Sequence, residues 1–216
     1  MCGRYTITNK DVADHFGAEQ GSFEFAPSYN VAPTQQVPIV LEREGERVMV
    51  PARWNLLPSW VKEPKAFKAS MFNARSESVS EKASFKGPLR YKRAIVPASG
   101  FYEWVHGDGK AKTPHYIQLA NGKPIGFAGL YDLWNDEVLS CTILTTTPNE
   151  LMATLHDRMP VILSPDDYDR WLDPGITDPT EVQDLLRPYP GKMQAYPVSS
   201  AVNSPRNNTV DLLQPA

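Results

Sequence analysis

The stretch from Arg93 to Val105 reads RAIVPASGFYEWV and contains two runs of strand length, RAIVPA and FYEWV. Both are rich in β-branched or aromatic residues, which favour extended backbone. Similar runs lie on either side of this stretch; they are VPIVLE, RVMVPARW, HYIQLA, IGFAGLY, LSCTILTT, MPVIL and MQAYPV. Many strands without a regular strand–helix alternation are typical of α+β folds. The sequence therefore predicts an α+β domain on a largely antiparallel, barrel-like β core with short peripheral helices.

Short helices are predicted at four places. Thr147, Ser164 and Asp178 each precede a proline and stand three residues before an acidic residue, a pattern typical of helix N-termini. A fourth helix is predicted within KDVADHF, residues 10–16, and should end at Gly17. Residues 58–78 show no clean period and are predicted to form a long surface loop region of the kind that often carries binding residues.

The composition is typical of a globular protein. The 216 residues are 41% hydrophobic and 22% charged, which suits one globular domain over residues 1–216. No apolar run is long enough to cross a membrane, and the first residues lack the apolar core of a secretory signal. Two cysteines, Cys2 and Cys141, provide no disulfide framework. We therefore expect an intracellular protein, in the cytoplasm of a prokaryote or the nucleus of a eukaryote.

The charge is unevenly distributed. The chain has a formal net charge of -3, yet residues 62–93 contain nine basic and only three acidic residues. Such a segment can bind a phosphate backbone, because salt screens electrostatic interactions beyond a short distance. The alternative is a solvated, loop-rich surface. No metal-ligand spacing and no glycine-rich phosphate loop is present, so neither a metal nor another cofactor is expected.

Cys2 directly follows the initiator methionine, and its small side chain favours removal of Met1. The exposed residue would then carry an α-amine of pKa about 7.7–8.0 beside a thiol of pKa about 8.5. An amine and a thiol on adjacent carbons can condense with an aldehyde, first to an imine and then to a thiazolidine ring. The ring-opened sugar of an abasic DNA site is one such aldehyde. The alternatives are a nucleophile that attacks amides and chance placement of a small residue.

Three further segments carry residues of chemical interest. In FNARSE, Asn73 offers hydrogen bonds to a sugar and Arg75 a fork for phosphate, although a capped turn with a surface ion pair is the alternative. In GFYEW, Glu103 lies among aromatic residues that would raise its pKa, unless it is exposed on a polar face. In LHDRMP, His156 could move protons or could be a surface histidine in a charged turn.

Taken together and in order, these segments resemble the SOS response-associated peptidase (SRAP) family of abasic-site processing proteins. The resemblance is carried by MCGRY, YNVAPTQ, WNLLPSW, FNARSES, IVPASGFYEW, FAGLYD, LHDRMPVIL and PVSSAVNSPRN, and it runs from residue 2 to about residue 214. It implies a monomeric single domain whose basic groove holds single-stranded DNA. It also implies a covalent thiazolidine crosslink to the abasic site, with associated lyase and reversal activity.

The resemblance also implies roles for individual residues. Cys2 would be the crosslinking nucleophile after autoproteolytic or aminopeptidase removal of Met1, and Asn73 would bind the opened sugar. Glu103 would act as acid and base, and His156 would move protons at the sugar. The residues implied to contact DNA are Arg4, Pro33, Trp60, Arg75, Trp104 and Thr145.

The chain departs from the family pattern at Asn55, Ser76, Ser78 and Ser204–Pro205, none of which is a proposed chemical residue. Two other functions remain open from the residues alone. One is an N-terminal-nucleophile cysteine peptidase or amidohydrolase, and the other is a non-catalytic module that binds single-stranded DNA.

Overall fold

Strands form most of the structure, which is a computed structural model that describes residues 2–9, 11–21, 23–106 and 112–216. The strands within these residues are β1 (Tyr5–Ile7), β2 (Glu19–Gln20), β3 (Ser28–Val31), β4 (Gln36–Arg43), β5 (Glu46–Trp54), β6 (Asn73–Arg75), β7 (Arg93–Ala98), β8 (Gly100–His106), β9 (Lys112–Leu119), β10 (Ile125–Trp134), β11 (Val138–Thr146), β12 (Met159–Pro160), β13 (Ile162–Leu163) and β14 (Met193–Pro197). Every run predicted to be a strand is one, with MPVIL divided between β12 and β13.

Five long strands close into a barrel in the order β4, β5, β11, β10, β7 and back to β4. Four of the five pairings are antiparallel, and only β5 with β11 is parallel. Closure leaves no continuous free edge along the barrel. The predicted α+β class with a largely antiparallel, barrel-like core is confirmed.

A second, antiparallel sheet has the order β14, β9, β8, β1, β3 and holds the start of the chain in its interior. Residue Tyr5 of β1 lies opposite Phe101 of β8. The side chain of Phe101 is part of the main core, whereas Tyr102 packs in a smaller core with Tyr116 and Val202. Both faces of β8 are therefore covered, which fixes the strand that carries Glu103.

The helices are short, namely α1 (Val12–His15), α2 (Ala83–Tyr91), α3 (Glu150–Ala153) and α4 (Tyr168–Leu172). Short 3-10 helices span Ser76–Ser78, Pro165–Asp167, Pro179–Leu185, Ser200–Asn203 and Val210–Leu213. None of the helices in the described ranges has the length and apolar character needed to span a bilayer.

The predicted helix boundaries hold in part. Gly17 ends α1 with φ of +61°, as expected for a left-handed C-terminal glycine. Asp178 caps the last of the predicted helices by accepting a hydrogen bond from the Thr180 N–H, although the helix there is a 3-10 helix. Ser164 precedes its helix without a side-chain capping bond. The prediction for Thr147 is wrong, because Asn149 is the cap and accepts from the Met152 N–H.

Two elements differ from the sequence prediction. Helix α2 was not predicted, because Gly87 and Pro88 are usual helix breakers; it forms with Phe85 and Leu89 buried against the barrel. The predicted loop over residues 58–78 is interrupted at its end, where β6 pairs in parallel with β11. A strand of three residues is too short to show a period, so the sequence could not reveal it.

Candidate active site

Cys2 lies in the interior, three residues before β1, with its side chain wholly buried. Its thiol is 4.0 Å from the carbonyl oxygen of Arg4, to which it donates a weak hydrogen bond. Burial raises the pKa of this thiol well above its ordinary value, and the charge of Glu103 raises it further. Cys2 and Glu103 are therefore electrostatic neighbours, although 101 positions separate them in the sequence.

Asn73 reaches Cys2 from the barrel side. It is the first residue of β6, lies opposite Ile143 of β11, and donates a 2.8 Å hydrogen bond from Nδ2 to the carbonyl oxygen of Cys2. The Oδ1 atom of Asn73 is buried and has no hydrogen-bond partner among the described residues. A buried acceptor without a partner is costly, so this atom favours a ligand that donates a hydrogen bond, such as a sugar hydroxyl.

Glu103 enters the site from β8 and is only 2% exposed. This excludes the alternative of an exposed glutamate on a polar strand face. Burial raises the pKa of Glu103 to about 7, and the negative charge of Asp157 adds to the effect. A carboxyl group with this pKa exchanges protons near neutral pH, which is what a general acid and base requires.

His156 completes the cluster from the loop after α3 and is half-buried. Its Nε2 atom lies 4.0 Å from Oε2 of Glu103. The Arg158 N–H donates a 3.0 Å hydrogen bond to Nδ1, and Oδ1 of Asp157 lies 2.8 Å from the same nitrogen. Burial is the main cause that lowers the pKa of His156, so the neutral ring is favoured. The structure thus brings Cys2, Asn73, Glu103 and His156 together.

The predicted binding residues differ in exposure. Arg75 is exposed, the Trp60 side chain is 57% exposed, and Pro33 and Trp104 are partly exposed. Thr145 is wholly buried, and its hydroxyl donates to the carbonyl oxygen of Ala74. A Thr145 contact to phosphate is therefore not open in this arrangement.

Arg4 is tied into the protein rather than free. Its guanidinium donates to Oδ1 of Asn30 and to the Val202 carbonyl oxygen, both at 2.9 Å, and lies over the Trp104 ring at 5.9 Å. The Nε atom of Arg4 is buried without a hydrogen-bond partner in the described part of the chain. Arg4 thus joins the segment before β1 to the C-terminal region and leaves its Nε donor available.

Arg158 lies beside His156 and was not selected from the sequence. Its guanidinium holds both carboxylate oxygens of Glu77, at 2.5 and 2.9 Å, and donates to the Thr145 carbonyl oxygen at 2.6 Å. Its main chain meanwhile binds His156. Glu77 and Arg158 stood in two of the segments that carried the resemblance, but 81 positions separate them, and the sequence alone gave no sign of their pairing.

Asn30 links Arg4, two residues after Cys2, to the C-terminal region of the chain. Its side chain is 1% exposed and donates to the carbonyl oxygens of Val202, Ser204 and Asn207, in addition to accepting from Arg4. We expect Asn30→Ala to lower the free energy of unfolding by about 2–3 kcal/mol, because several buried polar groups lose their partner. Urea unfolding measures this, with the exposed Asn121→Ala as a control expected to change stability little. A change below about 0.5 kcal/mol would contradict the anchoring role.

Comparison with known proteins places the chain in a family. The sequence profile described as SOS response associated peptidase (SRAP) matches residues 1–205. The abasic site processing protein YoqW of Bacillus subtilis (strain 168) is 45% identical over 99% of both chains. The abasic site processing protein HMCES of Gallus gallus is 34% identical over 88% of this chain and 67% of its own length.

The fold comparison agrees with the sequence comparison. An X-ray crystal structure of a protein from Bacteroides thetaiotaomicron superposes with a TM-score of 0.88 at 28% identity, covering 100% of both chains. The match of the family profile, the close relatives and the shared fold lead to one conclusion: the chain belongs to the SRAP family.

Proposed function

We propose that this protein captures abasic sites in single-stranded DNA through a thiazolidine crosslink at Cys2. The observation that carries the proposal is the convergence of Asn73, Glu103 and His156 on the second residue of the chain. The relatives are named abasic site processing proteins, and this supplies the substrate class. The substrate residue is the ring-opened sugar, whose C1′ aldehyde is the electrophile.

The first steps form an imine. Autoproteolytic or aminopeptidase removal of Met1 exposes the α-amine of Cys2, which attacks C1′ of the aldehyde. The resulting carbinolamine loses its oxygen as water once that oxygen has been protonated. His156 and Glu103 lie 4.0 Å apart and move these protons, since burial raises the pKa of Glu103 to about 7 and lowers the pKa of His156 from its ordinary value.

The thiol then closes the ring. Cys2 sulfur adds to the imine carbon, the thiol proton leaves, and the imine nitrogen gains a proton, so the atoms balance without an oxidant or a second reactant. Ring closure is intramolecular, which removes most of its entropic cost. Because burial keeps the thiol protonated, the Glu103 carboxylate beside it is the base that accepts its proton.

Two other outcomes compete with the closed ring. Before closure, the imine can undergo β-elimination at the 3′ phosphate, which cleaves the strand. After closure, protonation of the ring sulfur by Glu103 reopens the imine, and water then releases the aldehyde. Asn73 favours capture by holding the sugar through its unpartnered Oδ1 atom.

The direct experiment is a denaturing gel. The mature protein is mixed with a single-stranded oligonucleotide that carries one abasic site, and with a matched strand carrying the tetrahydrofuran analogue, which has no aldehyde. A slow band should form only with the aldehyde strand. Absence of that band from the aldehyde strand would overturn the proposal.

Arg75 is proposed to hold a phosphate of the bound strand, since it is exposed beside Asn73. We expect Arg75→Ala to weaken binding of the tetrahydrofuran strand several-fold. The salt dependence should also become weaker, with the negative slope of log affinity against log salt smaller in magnitude by about 0.7. Fluorescence anisotropy at several salt concentrations measures both quantities. The exposed Arg206→Ala serves as a control, and an unchanged slope in Arg75→Ala would contradict the phosphate contact.

A further inference from the structure

A cleft of about 230 Å³ opens between the side chains of Trp60 and Tyr91 and contains none of the four residues of the Cys2 site. Of the large apolar side chains left exposed in the described residues, these two are the aromatic ones, at 57% and 61% exposure. We propose that this cleft is a second DNA subsite that seats one unpaired base of the strand whose abasic residue lies at Cys2. The inference rests on the proposed function for its ligand class.

Trp60 is fixed in its exposed position. Its neighbour Ser59 donates its N–H to Oδ2 of Asp132 at 2.7 Å, and its other neighbour Val61 accepts a 2.6 Å hydrogen bond from the Trp134 indole. The Trp60 ring also meets Phe67 edge to face at 6.1 Å. An aromatic ring that is anchored on both sides and still exposed is a preorganised stacking surface, since binding costs it little further order.

The opposite wall of the cleft comes from α2. Tyr91 ends this helix, Pro88 and Gly87 line the cleft, and a Cβ at Gly87 would meet nothing within 4 Å. At the base, Lys92 and the buried Asp132 form a 2.5 Å ion pair. The cleft is smaller than the roughly 300–1,000 Å³ of drug-sized ligand sites, which suits a single base.

The charge beside the cleft identifies the kind of partner. Lys82, Lys86 and Arg90 recur every four residues at α2, so they lie along one side of the helix. The two lysines are exposed. Aromatic surfaces next to a row of cations are the combination that single-stranded nucleic acid requires, because bases stack while phosphates follow the basic groove. An apolar peptide would find no counterpart for these cations.

The cleft and the Cys2 site both lie beside strand β11, a short distance apart. Asp132 lies opposite Ser140 of β11, and Asn73 lies opposite Ile143. Three residues of strand span about 10 Å. A DNA strand whose abasic sugar contacts Asn73 can therefore place a base in the cleft within a few nucleotides.

The test measures how binding changes when single bases of the DNA strand are removed, one position at a time. Strands with a central tetrahydrofuran residue, each carrying a second tetrahydrofuran at a different flanking position, are titrated against wild type, Tyr91→Ala and Tyr91→Phe. In wild type and Tyr91→Phe, deletion at one or two positions on one side should weaken binding about five-fold, because a stacked base is lost. In Tyr91→Ala the same deletions should weaken binding clearly less, because the base then stacks on Trp60 alone.

Each comparison is made within one protein, so a uniform loss of active protein in Tyr91→Ala does not affect it. A position profile in Tyr91→Ala that matches wild type, or a wild-type profile without any sensitive position, overturns the subsite. The strands carry no aldehyde, so the result is independent of crosslinking. Failure of the proposed function would instead be seen as a missing band with an aldehyde strand.

Discussion

Cys2→Ala is expected to lose the heat-stable adduct with abasic DNA, by a factor of at least about 100. Alanine at position 2 is as small as cysteine, so Met1 should still be removed and an α-amine should still be present. That amine can form only an imine, which water hydrolyses, because the variant has no thiol to close the ring. Denaturing gels with wild type and variant at equal concentration measure the difference.

Cys2→Ser separates the amine from the thiol. We expect this variant to keep imine chemistry, visible as a band trapped by borohydride or as strand cleavage, while losing the stable ring. The matched control is Cys141→Ala, which removes the other cysteine and should leave adduct formation intact. A stable band of equal strength in Cys2→Ala, or its loss in Cys141→Ala without loss of folding, would contradict the assignment.

Glu103→Gln is expected to slow reversal of the adduct by about 10²-fold or more, and its formation by less. Glutamine is isosteric but cannot donate the proton that reopens the ring, and general acid catalysis typically contributes this much. In wild type the reversal rate should fall as the pH rises through about 7, since the acid form of Glu103 is then lost. Transfer of preformed adduct to a competing aldehyde strand measures reversal. Equal reversal rates in variant and wild type would count against the role.

The same substitution gives a stability prediction with a definite sign. Burial raises the pKa of Glu103 from 4.5 to about 7, so the folded state holds the proton more tightly than the unfolded state. The stability from this group is fully present below about pH 4.5 and is lost as the pH rises through about 7. Relative to wild type, Glu103→Gln should therefore gain up to about 3 kcal/mol between about pH 4 and about pH 8. Urea unfolding at both pH values tests this; a constant difference would contradict the raised pKa.

The strands were predictable because each carries its own apolar pattern, but the closure of the barrel was not. Closure depends on the parallel pairing of Arg53 and Trp54 with Ser140 and Cys141, which joins segments far apart in the chain. Nothing in either segment encodes its partner. Helix α2 was missed for a local reason, since Gly87 and Pro88 disfavour the helix that burial of Phe85 and Leu89 stabilises.

The sequence was enough to select the residues of the candidate site, but the contacts between them are visible only in the structure. Cys2, Asn73, Glu103 and His156 lay in recognisable segments, but only the fold shows that Asn73 binds the Cys2 carbonyl and that His156 faces Glu103. The pairing of Arg158 with Glu77 depends on tertiary structure in the same way. Thr145 could not be located from sequence either, because its burial follows from strands that pack on both sides of β11.

The most direct test of the central claim is the number of alkylatable thiols in the purified protein–DNA adduct, read by intact mass after denaturation. The protein has two cysteines. A thiazolidine consumes the Cys2 thiol, so we predict a mass of the Met1-free protein plus the abasic strand less one water, with a single alkyl group added at Cys141. An adduct that takes two alkyl groups, or one that retains Met1, would contradict capture by the amine and thiol of Cys2.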